Sequence, residues 1–155
     1  MIDNRNHQIA ACLRKIGNPK CLKKAALLEQ TRTPMKSLHL RDLDLNPSNI
    51  GLIIDFLLEE KALKSTSIKS ISLSYNPSLG DAGIIALVKQ FPASISEIGL
   101  VACGIKDQGG IEVLNWAKNK PNLNMICIEQ NSFSEKIRAA FKKFSQENPA
   151  ILVVV

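Results

Sequence analysis

Four segments of this 155-residue chain repeat one apolar pattern in a single register, and that recurrence narrows the folds open to it more than any other feature. They are MKSLHLRDLDL from Met35, IKSISLSYNPSL from Ile68, ISEIGLVACGI from Ile95 and LNMICIEQNSF from Leu123. Each reads L-x-x-L-x-L-x-x-N/C/L-x-L with conservative apolar exchanges, the second carrying one inserted residue before Leu79. A fifth start falls at Ile151, in ILVVV, and the starts are 33, 27, 28 and 28 residues apart. A period of this length marks an array in which each unit cannot bury its apolar face alone and stacks on the next.

The pattern has a direct physical reading. Two apolar residues separated by one, such as Ile71 and Leu73, send both side chains to the same face of a short strand. The Asn76, Cys103 or Asn131 that follows falls where the chain turns, and a polar side chain there satisfies backbone groups that a turn leaves unpaired. Leu43 holds that place in the first segment and offers no such group, which predicts a weaker ladder at that edge. Cys103 is accordingly expected to be a buried structural thiol.

Between strands the periodicity changes to that of helices. Asn46-Pro47 reads as a cap leading into SNIGLIIDFLLEEKALK, Asp81 as a cap for GIIALVKQF, Asp107 for GGIEVLNWAKNK and Ser134 for EKIRAAFKKF. The expected inner faces are Ile84, Leu87 and Val88; Ile111, Leu114 and Trp116; and Ile137, Ala140, Phe141 and Phe144. The glycines of LGDAG and CGIKDQGG form neither a P-loop nor a dinucleotide fingerprint, and tight turning accounts for them. The long first interval predicts an insertion around residues 61–66.

Residues 1–34 lack the strand pattern and form a separate N-terminal unit. Gly17-Asn18-Pro19 divides them into two helices, one ending near Ile16 and one running from Pro19 to about Gln30. A repeat array needs its open ends covered, and this helical pair is the expected N-terminal cap. With it, residues 35–155 make about four and a half repeats in one structural domain, a size at which a single core suffices.

The net charge of +6 resides entirely at the N-terminus. Residues 1–36 carry eight basic and two acidic groups, leaving twelve of each sign for residues 37–155. Arg14, Lys15, Lys20, Lys23 and Lys24 form a basic cap that could draw an acidic partner such as phospholipid headgroups or nucleic acid. No aromatics interleave with these lysines, which argues against a stacking platform for single-stranded nucleic acid. The four cysteines contain no C-x-x-C pair, and neither histidine lies at zinc spacing, so no metal or other cofactor is expected. No stretch is long and apolar enough for a membrane span, and MIDNRNHQIAACLRK has no signal-peptide core. These features predict a cytoplasmic chain with reduced thiols, and leave delivery into another cell as an effector open.

The segments ISLSYNPSLGDAGIIAL (71–87), IGLVACGIKDQGGIEVL (98–114) and ICIEQNSF (126–133) resemble the ribonuclease-inhibitor-like leucine-rich repeats, over residues 35–155. The resemblance implies an α/β solenoid, a right-handed β-α superhelix with a parallel strand per repeat on the concave side and helices on the convex side. It also implies a protein that binds other proteins through the concave sheet and its loops.

Alternation along the strands lists the side chains of that surface. The expected partner-binding residues are Ser37, His39, Arg41, Asp42, Ser72, Ser74, Tyr75, Glu97, Glu129 and Gln130, with Tyr75 and Arg41 as the anchors that interfaces favour. His39 beside the Ser70–Ser74 strand, near Asp42 and Asp44, superficially suggests a hydrolase, but no nucleophile elbow or oxyanion site accompanies them, and no catalytic residue is expected. The function expected is a non-enzymatic protein-binding module. One alternative is a regulator or adaptor working through the basic cap. Another is a homodimer pairing through the apolar Ile151–Val155 strand.

Overall fold

The computed structural model describes residues 4–63 and 68–155. It is an α/β structure of six helices and one five-stranded parallel sheet. Helices α1 (Arg5–Ile16) and α2 (Pro19–Gln30) come first. Strand and helix then alternate as β1 (Ser37–His39), α3 (Gly51–Ala62), β2 (Ser70–Ser72), α4 (Gly80–Val88), β3 (Glu97–Gly99), α5 (Asp107–Ala117), β4 (Met125–Cys127), α6 (Glu135–Glu147) and β5 (Leu152–Val154). Sheet order follows chain order, so each strand lies beside its predecessor.

The strands carry one inward residue each, and Leu38, Ile71, Ile98 and Ile126 stand side by side across the sheet. They join a single buried cluster that runs from Ile9 of α1 to Phe144 of α6. The other face carries polar residues on β1 and β2, Glu97 and Gly99 on β3, and apolar residues or cysteine on β4 and β5. The pairing continues past each strand, with Leu40, Leu73, Leu100 and Ile128 donating their N–H groups to Ser72, Gly99, Cys127 and Val154.

Each chain reversal then begins with a left-handed residue, Asp42, Tyr75, Ala102 or Gln130, with φ between 51° and 63°, and Asp44 and Gly104 add a second in the first and third. The next side chain fastens the turn. Asn76 accepts from the backbone N–H of Leu43 and Leu45 and donates to the carbonyls of Leu40 and Leu73, at 2.7–3.1 Å. Asn131 makes the same four bonds to Cys103, Ile105, Leu100 and Ile128. Cys103 has less capacity and donates its thiol to the Leu73 carbonyl at 3.2 Å. Burial pushes that thiol up to about 11, against the Asn76 N–H, which pulls it down.

The edge that Leu43 was expected to weaken is closed from outside the strand pattern. Asn18 donates to the Leu43 carbonyl at 2.9 Å while its oxygen caps α2 by accepting from Cys21 N–H at 2.8 Å. Pro19 at the first helical position and left-handed Gly17 ending α1 account for the break between the helices.

Several helix starts differ from the expectation. Asn46 caps an Asx turn, accepting from Ser48 N–H at 2.9 Å, and α3 begins only at Gly51. Asp81 and Asp107 lie inside their helices and reach to the next unit instead, accepting from the N–H of Lys106 and of Ser134, each at 2.7 Å. Ser134 does cap α6, accepting from Ile137 N–H at 3.4 Å. In α5 the buried stripe is Gly109, Gly110, Val113, Leu114 and Ala117, which leaves Ile111 45% exposed rather than inside. A Cβ on Gly109 would lie 2.6 Å from Asp81 Oδ1 and from Ile105 Cγ2, so close packing and not turning requires that glycine. Of the insertion expected around residues 61–66, the first two residues end α3 and residues 64–66 lie outside the described residues.

The fifth strand pairs one residue out of the expected register. Met125 stands opposite Leu152, and Ile126 opposite Val153. Val153 therefore packs against the core, and Leu152 is turned out, 59% exposed. An unbroken apolar run carries no alternation to say which residues face inward.

Candidate partner-binding face

Short strands place their outward residues on the open face in rows, because the in-register ladder sets Ser37, Ser70, Glu97 and Met125 side by side, and likewise His39, Ser72, Gly99 and Cys127. A groove of about 310 Å³ runs across these rows. Of the ten residues expected to bind a partner, it brings together His39, Arg41, Ser72, Ser74, Tyr75, Glu97 and Glu129.

The floor is made of small residues. Ser72 and Ser74 share a hydroxyl contact at 3.4 Å, and the Ser74 hydroxyl accepts from Val101 N–H at 3.1 Å. A Cβ on Gly99 would come within 3.0 Å of Ser72 Oγ, so this glycine keeps the centre low. Arg41 and Tyr75 rise at one side, the guanidinium 5.3 Å from the ring centroid. Such a pair holds both side chains in place, worth about 0.5–1 kcal/mol where exposed. Tyr75 is also the bulkiest of the left-handed residues, at φ 63°, a conformation that an aromatic side chain rarely adopts. The strain sits in the groove wall.

The electrostatics are asymmetric. On the β1 side, burial and then the charges of Lys24 and Arg41 hold the His39 imidazole below its usual range. On the β4 side, burial and then Glu129 and Glu97 push the Cys127 thiol up. Neither glutamate forms an ion pair among the described residues. The groove is therefore cationic at one end and anionic at the other, with uncharged serines between.

Ser37, Asp42 and Gln130 lie outside the groove. Ser37 lines a separate cleft beside α2, Gln130 is an exposed turn residue, and Asp42 is turned toward the N-terminal helices. There Lys20 Nζ bridges Asp42 at 2.7 Å and Asp44 at 3.3 Å. Arg14 grips Glu29 with two hydrogen bonds of 2.6 and 2.7 Å. These links draw Arg14 and Lys20 into the structure of the helix pair, whereas Lys15 and Lys23 stay exposed and Lys24 is half-buried beside β1. His39 makes no hydrogen bond to either serine among the described residues, and both nearby aspartates are engaged by Lys20. No group of three or more histidine, cysteine or acidic side chains among the described residues is placed to hold a metal ion. None of the helices described is long and apolar enough to cross a membrane.

Alternation on the strands carries the groove-lining residues in the sequence. The 550 Å³ cleft lined by Ser37 has no such signal, since Asn6, Lys24, Leu28 and the linker to β1 come from three separate stretches. Comparison with protein-family models finds none that matches this chain, and comparison with curated proteins finds no match.

Proposed function

We propose that this chain is a short leucine-rich-repeat solenoid of the ribonuclease-inhibitor-like type whose work is non-enzymatic binding of another protein on its concave face. The observation that carries the reading is the open groove itself. Residues from four successive strands converge on it, over a floor kept low by Ser72, Ser74 and Gly99. The recurrence of a parallel strand, a left-handed residue and a fastening Asn or Cys supports the repeat assignment. Interface anchors favour Tyr and Arg, and here the two are preassembled, which lowers the entropy lost on docking. The charge division adds direction. A partner crossing the strands places an acidic group near Arg41 and His39 and a basic group near Glu97 and Glu129.

The test is affinity capture from the source cell's lysate with the wild-type chain and with the Tyr75→Ala/Arg41→Ala double variant, at low and moderate salt. A protein retained by wild type at both salts and lost by the variant supports docking on the open face. Capture that survives the substitutions but disappears with salt moves the working surface to the basic residues of the N-terminal helices.

A further inference from the structure

A wide groove lies where the N-terminal helix pair stands off from the first edge of the sheet. It encloses about 550 Å³ between Asn6, Lys24 and Leu28 on the helices and the linker that runs into β1. Three observations define what could enter it.

The first is an unpaired strand edge. Among the described residues strand β1 has β2 as its only neighbour, and just beyond the paired strands the bonds across to β2 involve Lys36, Leu40 and Asp42. Bonding direction alternates along a strand in a parallel ladder, so the N–H and C=O groups of Ser37 and His39 point the other way, and they have no partner among the described residues. Both residues line the groove. The second is an apolar wall, given by Leu28, Met35 and Leu38. The third is charge. Lys24 and Lys36 line the groove, and no acidic residue does. Glu29 is held by Arg14, and Asp42 and Asp44 by Lys20.

We infer that this groove accepts an extended, acidic segment of another protein, added to the sheet as a strand alongside β1. The combination selects among occupants. A free anion would engage the lysines but could not satisfy the outward carbonyls, whereas an added strand offers alternating donors and acceptors to both. A second copy of this chain seated edge to edge would bring two sets of Lys24 and Lys36 together, and like charges placed opposite each other are destabilising. An acidic segment reverses that sign and can set an apolar side chain against Leu28. Three strand residues span about 10 Å, so the contact is short and sequence-tolerant. This inference stands independently of the open-face proposal.

The experiment titrates the full chain, labelled for NMR, with a short synthetic peptide alternating valine and glutamate, with its valine–lysine counterpart, and with versions N-methylated at alternate backbone positions. The expected result is saturable binding of the glutamate peptide, with amide shifts concentrated at Ser37 and His39. N-methylation in one phase should weaken it at least tenfold, and in the other phase leave it within about twofold. Lys24→Glu/Lys36→Glu should weaken it at least tenfold, and Ser37→Pro, which removes an outward N–H that the fold does not use, should do the same. The peptide series needs no variant to fold. Lack of saturable binding, equal binding of the lysine peptide, indifference to N-methylation in both phases, or self-association through β1 would each overturn the inference.

Discussion

Asn76 holds four backbone groups with one side chain. Its amide is fully buried and meets two N–H groups and two carbonyls, the Leu73 carbonyl being shared with the Cys103 thiol. A buried group left without its partner costs about 1–3 kcal/mol, partly recovered by relaxation, so Asn76→Ala should destabilise the protein by about 3–5 kcal/mol. Asn131 makes the same set of bonds but is only half-buried. Water can replace part of what it loses, and Asn131→Ala should cost about 1–3 kcal/mol. Urea unfolding of both variants, followed by far-UV circular dichroism, checks the order. Equal losses would mean that burial does not set the cost. Cys103 shows why the place tolerates a thiol at all. It holds the Leu73 carbonyl, but it cannot supply the twin donors of an amide.

Among the elements, glycine separates two roles that look alike in the sequence. Gly51 opens α3 with nothing near the position of a Cβ, while a Cβ on Gly110 would lie 2.8 Å from a Phe133 ring carbon and 2.9 Å from Ile137. Gly51→Ala should therefore raise stability by about 0.5–1 kcal/mol through helix propensity and a less flexible unfolded chain. Gly110→Ala should lower it by about 1–3 kcal/mol, since two buried side chains of the next unit must give way. Thermal unfolding of the two variants beside wild type decides between them, and a gain at both sites would refute the packing argument. The same distinction explains what could be read from the residues alone. The strand positions were legible because L-x-L alternation is a local property, and six of the seven groove-lining residues followed from it, Tyr75 being brought there by its left-handed turn. The N-terminal helices were legible from Gly17-Asn18-Pro19. The helix starts were not, because Asp81 and Asp107 suit a helix cap and a bond to the next unit equally well. Ile111 was misplaced because two glycines, not the larger apolar residues, set the phase of α5. Ile151–Val155 was misregistered because five apolar residues offer no face to choose. The cleft beside β1 was invisible because only folding brings α1, α2 and the linker together.

At the scale of the whole molecule, the N-terminal helices and the sheet form one buried cluster, although the sequence divides them near residue 34. Ile9, Ala10, Leu13, Cys21 and Ala25 are fully buried, α1 packs on α3, and Asn18 bonds to the turn after β1. Arg5 reaches Glu60, itself 2% exposed, at 3.1 Å. In an array whose units touch mainly their neighbours, the energy of the end unit decides whether unfolding begins there or involves the whole chain. The helix pair is tied on by apolar contact, hydrogen bonds and charge together, which predicts a single transition. Leu13→Ala tests this far from the reporter. Removing a fully buried leucine costs about 3–5 kcal/mol. The chain's one tryptophan, Trp116, lies on α5 with its ring edge-to-face on Phe91, 5.6 Å between centroids. If the molecule unfolds as one unit, the urea midpoint read from Trp116 fluorescence should fall as far as the midpoint read from circular dichroism, and the two curves should superimpose in both wild type and variant. A Trp116 midpoint that stays in place while helicity is lost earlier would show that the N-terminal helices unfold first, and that the sheet holds without them.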